Sequence, residues 1–144
     1  MFAQSRDDGI TGPITVESRT ARFDGGFIGG ARALADSALA AMSPVLIPRL
    51  VQAASAVREA TTLALPAGVL VVSPEDSRRI QVRGMGGSVV FAVSPVVFSD
   101  DSSQAAVYVE HLCGGLCGSG RVIWLVRTAT SRWEERADIA VWFS

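Results

Sequence analysis

The sequence predicts an α+β fold in which N-terminal helices pack on an antiparallel β-meander of about four to five strands. Two observations carry this prediction. Residues 31–82 combine helical periodicity with helix-start signals, whereas from Ser88 onward short β-branched and aromatic runs alternate with turn sequences. At 144 residues the chain can bury roughly two-thirds of the surface that it exposes when unfolded. It can therefore fold without metals or disulfides.

The N-terminal part predicts a flexible segment, a strand and two helices. Residues 1–13 offer little to bury, and the alternation that begins at Ile14 predicts a first strand over 14–20. Apolar residues at helical spacing predict a buried helix over 31–42, which ends at Ser43-Pro44. Because proline is tolerated in a first helical turn, a second helix is expected from Pro48 to about Thr61.

A strand and a short helix are predicted next. The run Val69-Leu70-Val71-Val72 lacks alternation, which favours a strand covered on both faces. Ser73-Pro74-Glu75-Asp76 is a good helix start, with Ser as cap, Pro at the first position and acids in the first turn. This helix should end before Gly84.

The C-terminal half predicts only strands. Runs at 89–93 and 96–98 are split by Ser94-Pro95, so that strand should be bent or bulged. Residues 105–109 and 122–126 predict a hairpin, and the last strand, 133–143, should have a wet face and a dry face. The wet face would carry Glu134, Arg136 and Asp138, and the dry face Ala137, Ile139, Val141 and Phe143. Residues 14–144 are interpreted as one domain.

Composition excludes two classes of partner. Apolar residues make up 49% of the chain, charged residues 19%, and the net charge is −1 with 13 scattered arginines and no lysine, which does not suit a nucleic-acid-binding surface. No window reaches the 18 or so apolar residues that a membrane helix needs. We expect a soluble protein of bacterial type, cytoplasmic or exported after removal of a signal that this chain does not carry.

The stretch from Glu110 to Gly120 holds the chain's only histidine and both cysteines. Cys113 and Cys117 are close enough for their Cα atoms to fall within the 7 Å limit, so they are a candidate disulfide; two inert thiols are the alternative. Together with His111 they could supply three ligands to zinc, but a half-buried histidine beside a hairpin is the simpler interpretation. No metal or cofactor is predicted. A near match to a phosphate-binding loop at 115–122 fails because arginine replaces its lysine and a strand follows.

Aromatic and ionisable residues of the hairpin and the last strand form a candidate ligand pocket. Its members are Tyr108, Glu110, His111, Trp124 and Trp142. For the tryptophans, packing in the core is the more ordinary role. An acid–base pair of Glu110 with Asp138 lacks support because nothing in the sequence fixes their separation.

The C-terminal half resembles a family of uncharacterised bacterial proteins. The resemblance lies in residues 97–109, in the Cys-Gly-Gly-Leu-Cys-Gly-Ser-Gly run at 113–120, in Trp133 and in the closing Trp142-Phe143-Ser144, with a Leu-Pro and Val-Leu-Val-Ser element at 65–76. The turn before Trp133 departs from the Lys- and Gly-rich family pattern. The resemblance implies no known activity, cofactor or catalytic residue. Helices that lead into a meander are also similar in outline to the nuclear-transport-factor-2-like cone.

Three functional hypotheses follow. The first is a small non-catalytic domain that binds a ligand or a partner; the second is an enzyme with a pocket between helices and sheet, using His111 with Glu110 or Asp138. The third is a thiol redox or metal site. A homodimer through the apolar segment 139–143 is a further expectation, since two-fold dimers are the commonest oligomers.

Overall fold

The computed structural model describes residues 14–28, 39–56, 68–82, 89–114 and 117–144. Within these ranges the chain forms two helices and seven strands. In chain order they are β1 (Ile14–Glu17), α1 (Leu46–Ala53), β2 (Val69–Val72), α2 (Pro74–Val82), β3 (Val90–Val93), β4 (Val97–Phe98), β5 (Gln104–Leu112), β6 (Gly118–Arg127) and β7 (Trp133–Phe143). The α+β class is confirmed.

All seven strands belong to one mixed sheet. Its order is β2-β1-β3-β5-β6-β7, and β4 pairs with β5 beside the end of β3. The meander β5-β6-β7 is antiparallel, as predicted, but β1 lies parallel to both β2 and β3. The antiparallel prediction concerned only the meander, and β3 and β4 also pair antiparallel with β5. The parallel pairs arise because β1 inserts between β2 and β3, which the α2 crossover makes parallel to each other. The described strands form an open sheet, so the cone-like outline is not confirmed.

The core lies between α1 and one face of the meander. Leu46, Leu50 and Ala54 are fully buried and pack in one cluster with the buried side chains of the sheet, which are Ala92, Val97, Ala106, Tyr108, Val122, Trp124 and Ile139. Phe23, in the segment after β1, joins the cluster, and its backbone N–H donates to the Ala54 carbonyl at the end of α1 (3.1 Å). Burial of these apolar surfaces is the main force that holds the helix to the sheet.

The helix predictions have mixed outcomes. α1 begins two residues before Pro48, which remains in the first turn, where no intrahelical N–H bond is required. Its predicted extension to Thr61 is wrong, since the helix ends at Ala53. The predicted flexible terminus and most of the helix predicted over 31–42 fall outside the described residues. The cap of α2 is confirmed by a bond from the Asp76 N–H to the Ser73 hydroxyl (3.1 Å).

Two predictions of strand burial are wrong. β2 is an edge strand, and Leu70 and Val71 are 53% and 54% exposed instead of covered. In β7 a register shift opposite Gly120 and Arg121 inserts one extra residue between Ala140 and Trp142. Trp142 thereby joins the face of Ile139, while Phe143 is left 59% exposed. None of the described helices is long and apolar enough to cross a membrane.

Candidate functional site

Tyr108 is held at the centre of the sheet by the break between β3 and β4. Ser94, 1% exposed, donates its backbone N–H to the Tyr108 carbonyl (2.9 Å) and accepts the Tyr108 N–H on its hydroxyl (2.9 Å). A serine side chain therefore replaces one ladder carbonyl where Pro95 interrupts the strand. The Tyr108 ring stacks on Phe23 with centroids 5.0 Å apart. Backbone and ring are thus both fixed.

A hydrogen-bond relay joins three of the predicted pocket residues. The indole N–H of Trp142 donates to the Tyr108 hydroxyl (2.8 Å), which donates to Oε1 of Glu110 (2.9 Å). Tyr108 and Glu110 share a face of β5 because they are two residues apart, and the extra residue in β7 brings Trp142 to the same face. We call this the Tyr108 relay.

Gly120 makes the relay possible. A Cβ at this position would overlap the Trp142 indole nitrogen and lie 2.5 Å from the Tyr108 hydroxyl oxygen. Gly120 lies within β6, opposite Glu110, so its role is to admit two large side chains over its backbone. The sequence did not indicate this role, because a hairpin of residues 105–109 and 122–126 places Gly120 in the connecting turn. The signal was a Gly-Ser-Gly run that continues directly into a β-branched strand.

Burial and carboxylates of the surrounding chain raise the pKa values of the ionisable relay residues. Burial raises the pKa of Glu110, the Tyr108 hydrogen bond opposes this, and the charge of Glu17 adds to the increase. Burial also raises the pKa of the Tyr108 hydroxyl, with further increases from Glu110 and Asp24. Among the described residues, the ion pairs are Arg49–Asp100, Arg79 with Glu75 and Asp76, and Arg121–Asp138. None of them neutralises Glu17, Asp24 or Glu110.

Glu110 also presents an oxygen with no protein partner in the described part of the chain. Its Oε1 accepts from Tyr108, while Oε2 makes no hydrogen bond there. No side-chain polar atom of the described residues is both buried and unsatisfied, so Oε2 is in contact with solvent. The relay therefore ends in an accessible acceptor.

Trp124 lies on the same sheet face but in a separate network. Its indole N–H donates to Oε1 of Gln104 (3.1 Å), which also accepts the Ser43 N–H (2.7 Å), and Nε2 of Gln104 donates to the Ala41 carbonyl (3.1 Å). Trp124 is 2% exposed. It fastens the segment before α1 to the sheet and has no accessible polar atom, so the structure separates it from the relay.

His111 and Asp138 also lie apart from the relay. The His111 ring packs against Phe91 (centroids 5.4 Å apart) on the opposite face from Glu110, and burial, then the charge of Arg121, lowers its pKa. Asp138 pairs with Arg121 (2.7 Å). His111 and Glu110 are therefore not brought together, because adjacent strand residues point to opposite faces. His111 and Asp138 share the other face, where the carboxylate of Asp138 is paired with Arg121.

Cys113 and Cys117 lie at disulfide distance, with Cα atoms 5.2 Å apart. Gly114 occupies the left-handed region (φ +114°) that the tight turn between them requires, close to the Gln81 carbonyl at the end of α2. Among the described residues, no three His, Cys, Asp or Glu side chains cluster as metal ligands would.

A shallow hollow of about 210 Å³ opens at the start of α1, away from the relay. It is lined by Leu39, Met42, Ser43, Pro44 and Ile47. Pockets that bind drug-sized ligands measure roughly 300–1,000 Å³ and carry convergent polar groups. This hollow has no ionisable side chain among its lining residues.

No protein-family model, no curated protein and no solved structure matches the chain. The structure defines an α+β domain with an open mixed sheet and a polar relay at one end of its core face.

Proposed function

We propose that this chain is a small non-catalytic binding domain whose ligand is an organic cation that docks beside Glu110, Tyr108 and Trp142. The observation that carries the proposal is the accessible end of the Tyr108 relay. A carboxylate oxygen faces solvent there without a basic partner among the described residues. A ligand that donates an N–H would complete the chain of hydrogen bonds.

The charge and shape of the surroundings support a cation over a neutral or anionic ligand. Glu17 and Asp24 add to the negative potential around the relay, as their effects on the pKa of Glu110 and Tyr108 indicate. Tyr108 is 2% exposed and stacked on Phe23, so Trp142, which is partly exposed, is the ring of the relay that would meet an organic cation through its negative face. An anion would meet three carboxylates.

The chemistry of the residues supports binding over catalysis. A general acid or base needs a partner within hydrogen-bond reach of the reacting group, and His111, the predicted partner of Glu110, lies on the other sheet face. A thiol mechanism is disfavoured because Cys113 and Cys117 lie at disulfide distance, and a bridged pair has no thiolate to act as a nucleophile. Tyr108 has its pKa raised, which suits a hydrogen-bond donor and not a nucleophile.

The proposal can be tested by titrating the ¹⁵N-labelled protein with benzylammonium and following the indole N–H signals of the three tryptophans. The signal of Trp142, assigned with Trp142→Phe, should shift saturably. That of Trp124 should stay in place because its N–H is bonded to Gln104. Benzyl alcohol and phenylacetate are matched neutral and anionic probes.

Glu110→Gln should abolish the benzylammonium response, since it removes the charge while keeping an acceptor for Tyr108. Glu135→Gln removes an equal charge at an exposed position of β7 and should leave the response unchanged. A response that survives in Glu110→Gln, a phenylacetate response of equal size, or no response to the cation would contradict the proposal.

A further inference from the structure

The two edges of the sheet differ in how well they are protected against pairing with another strand. β7 carries Glu134, Glu135 and Arg136, all exposed, and two register shifts that break its regular edge. Charges and bulges are the usual devices that prevent edge-to-edge association. These charges and bulges therefore protect much of the β7 edge against pairing with another strand.

β2 has none of these devices. It consists of four aliphatic residues paired in uninterrupted parallel register with β1. Leu70 and Val71, which point to opposite faces, are each more than half exposed. Its shortness is its one safeguard.

The backbone of β2 also offers free hydrogen-bonding groups. The Val72 carbonyl accepts the Ser18 N–H (2.7 Å), so it points towards β1. Because successive residues of a strand turn their N–H and C=O to alternate sides, both groups of Val71, and those of Val69, point away from β1. Within the described part of the chain, these outward groups of Val69 and Val71 have no hydrogen-bond partner.

We infer that β2 is a dimerisation edge, at which a second copy of this chain adds its own β2 in antiparallel orientation about a two-fold axis through Leu70. In this register each Val69 exchanges two hydrogen bonds with the partner's Val71, and the two Leu70 side chains meet on one face. Every outward N–H and C=O of the strand is used. This inference is independent of the ligand proposed above.

Self-pairing is favoured over an unrelated partner by sequence and charge. β2 has no charged side chain with which to select a partner of opposite charge, and Val69 and Val71 are matched across the axis. Three acidic residues lie at the Val72 end of the strand: Glu17, which pairs with Val72 in the ladder, and Glu75 and Asp76, which begin α2. Antiparallel pairing places the two sets at opposite ends of the dimer, whereas parallel pairing would bring them together.

The short strand predicts a weak dimer, because four residues bury less than the roughly 1,200 Å² at which specific stable interfaces begin. Sedimentation velocity from about 10 µM to about 1 mM should show the mass rising from the 15.1 kDa monomer towards twice that value. Val71→Pro should abolish the rise, since proline removes an outward N–H and leaves the ladder with β1 intact. Leu70→Lys, which introduces like charges at the axis, should do the same if the proline variant fails to fold. A monomer at all concentrations would overturn the inference.

Cross-linking tests the register. Leu70→Cys should give a reducible dimer under mild oxidation because the two Cα atoms face each other across the axis, about 4.5 Å apart in a pair of this kind. Val71→Cys is the matched control, since its symmetry mate lies diagonally, about 7–8 Å away and beyond bridging distance. Cross-linking of Val71→Cys in preference to Leu70→Cys would overturn this register, and a dimer unaffected by Val71→Pro or Leu70→Lys would place the interface elsewhere, for example at 139–143.

Discussion

Two tryptophans of the core face each donate an indole N–H to a polar side chain, but their networks end differently. At Trp124 the acceptor is Oε1 of Gln104, which also accepts the Ser43 N–H. Nε2 of Gln104 donates to the Ala41 carbonyl. At Trp142 the acceptor is Tyr108, and the chain continues to a carboxylate with one oxygen in solvent. The first network is complete within the protein and the second is not.

The difference separates a structural role from a binding role. A buried network with every member satisfied adds rigidity and specifies one arrangement of the core. A network that ends in a partly exposed charge, with no ion pair among the described residues, contributes less to folding and remains available to a ligand. The comparison predicts that substitutions near Trp124 act on stability, whereas those near Trp142 act on binding.

The largest effect should come from Trp124→Ala. Truncating a fully buried tryptophan removes its packing and leaves a cavity, which costs about 3–5 kcal/mol of unfolding free energy. Urea unfolding monitored by circular dichroism measures the change. Trp142→Ala is the matched control and should cost less, because Trp142 is partly exposed. Equal losses for the two variants would contradict the separation of roles.

Gln104→Ala should have the next largest effect. It leaves the Trp124 and Ser43 N–H groups without their acceptor, and an unsatisfied buried donor costs about 1–3 kcal/mol. The same urea experiment measures the loss, and the Trp124 indole signal should move while that of Trp142 stays. Gln52→Ala, at an exposed position of α1, controls for removal of a glutamine side chain.

The double substitution Cys113→Ser and Cys117→Ser should cost about 2 kcal/mol if the pair is bridged, because so short a loop restricts the unfolded chain only slightly. The melting temperature should fall by a few degrees. Alkylation without reductant, followed by mass spectrometry, should label no thiol in the native protein. Two labels would show that the pair at disulfide distance is not bridged, and loss of folding would show that the loop matters more to the fold than its length suggests.

Much of the fold follows from local sequence signals. Ser73-Pro74 set the start of α2, Ser94-Pro95 broke the β3 to β4 run, and the meander strands were found near their true positions. These features depend on neighbours in the chain. The parallel insertion of β1 could not be predicted, because no local residue specifies which strand it joins, and exposure of β2 depends on that topology.

The site was predicted only in part for the same reason. Tyr108, Glu110 and Trp142 were among the candidates, but alternation alone assigned Phe143 to the core face and left Trp142 off it. One extra residue in β7 reverses that assignment, and bulges carry no reliable local signature. Gly120 and Phe23 gain their roles from side chains far away in the sequence.

The smallest expected effect is on the pH dependence of the unfolding free energy. It distinguishes the partly buried carboxyl of Glu110 in the relay from an ordinary exposed carboxyl. Burial raises the pKa of Glu110 from 4.5 in the folded state, so the folded protein binds this proton more tightly than the unfolded chain does. The stability that Glu110 contributes is fully present below its pKa in the unfolded state. It is lost as pH rises through its pKa in the folded state. Unfolding free energies measured from about pH 4 to pH 8 should therefore decline less with rising pH in Glu110→Gln than in the native protein.

Asp101 is a control whose pKa is shifted in the opposite direction from that of Glu110. Hydrogen bonds from the Ser103 hydroxyl and backbone, and then from Ser99, lower its pKa to about 2, so its contribution is present above its unfolded value and is lost as pH falls from about 3.8 towards 2. Asp101→Asn should change the profile only in that acid range and leave the range from pH 4 to pH 8 unaltered. If Glu110→Gln changed only the acid range as well, its carboxyl would behave as an ordinary exposed one. The partial burial of Glu110 within the relay would then have no effect on its pKa, contrary to the structure.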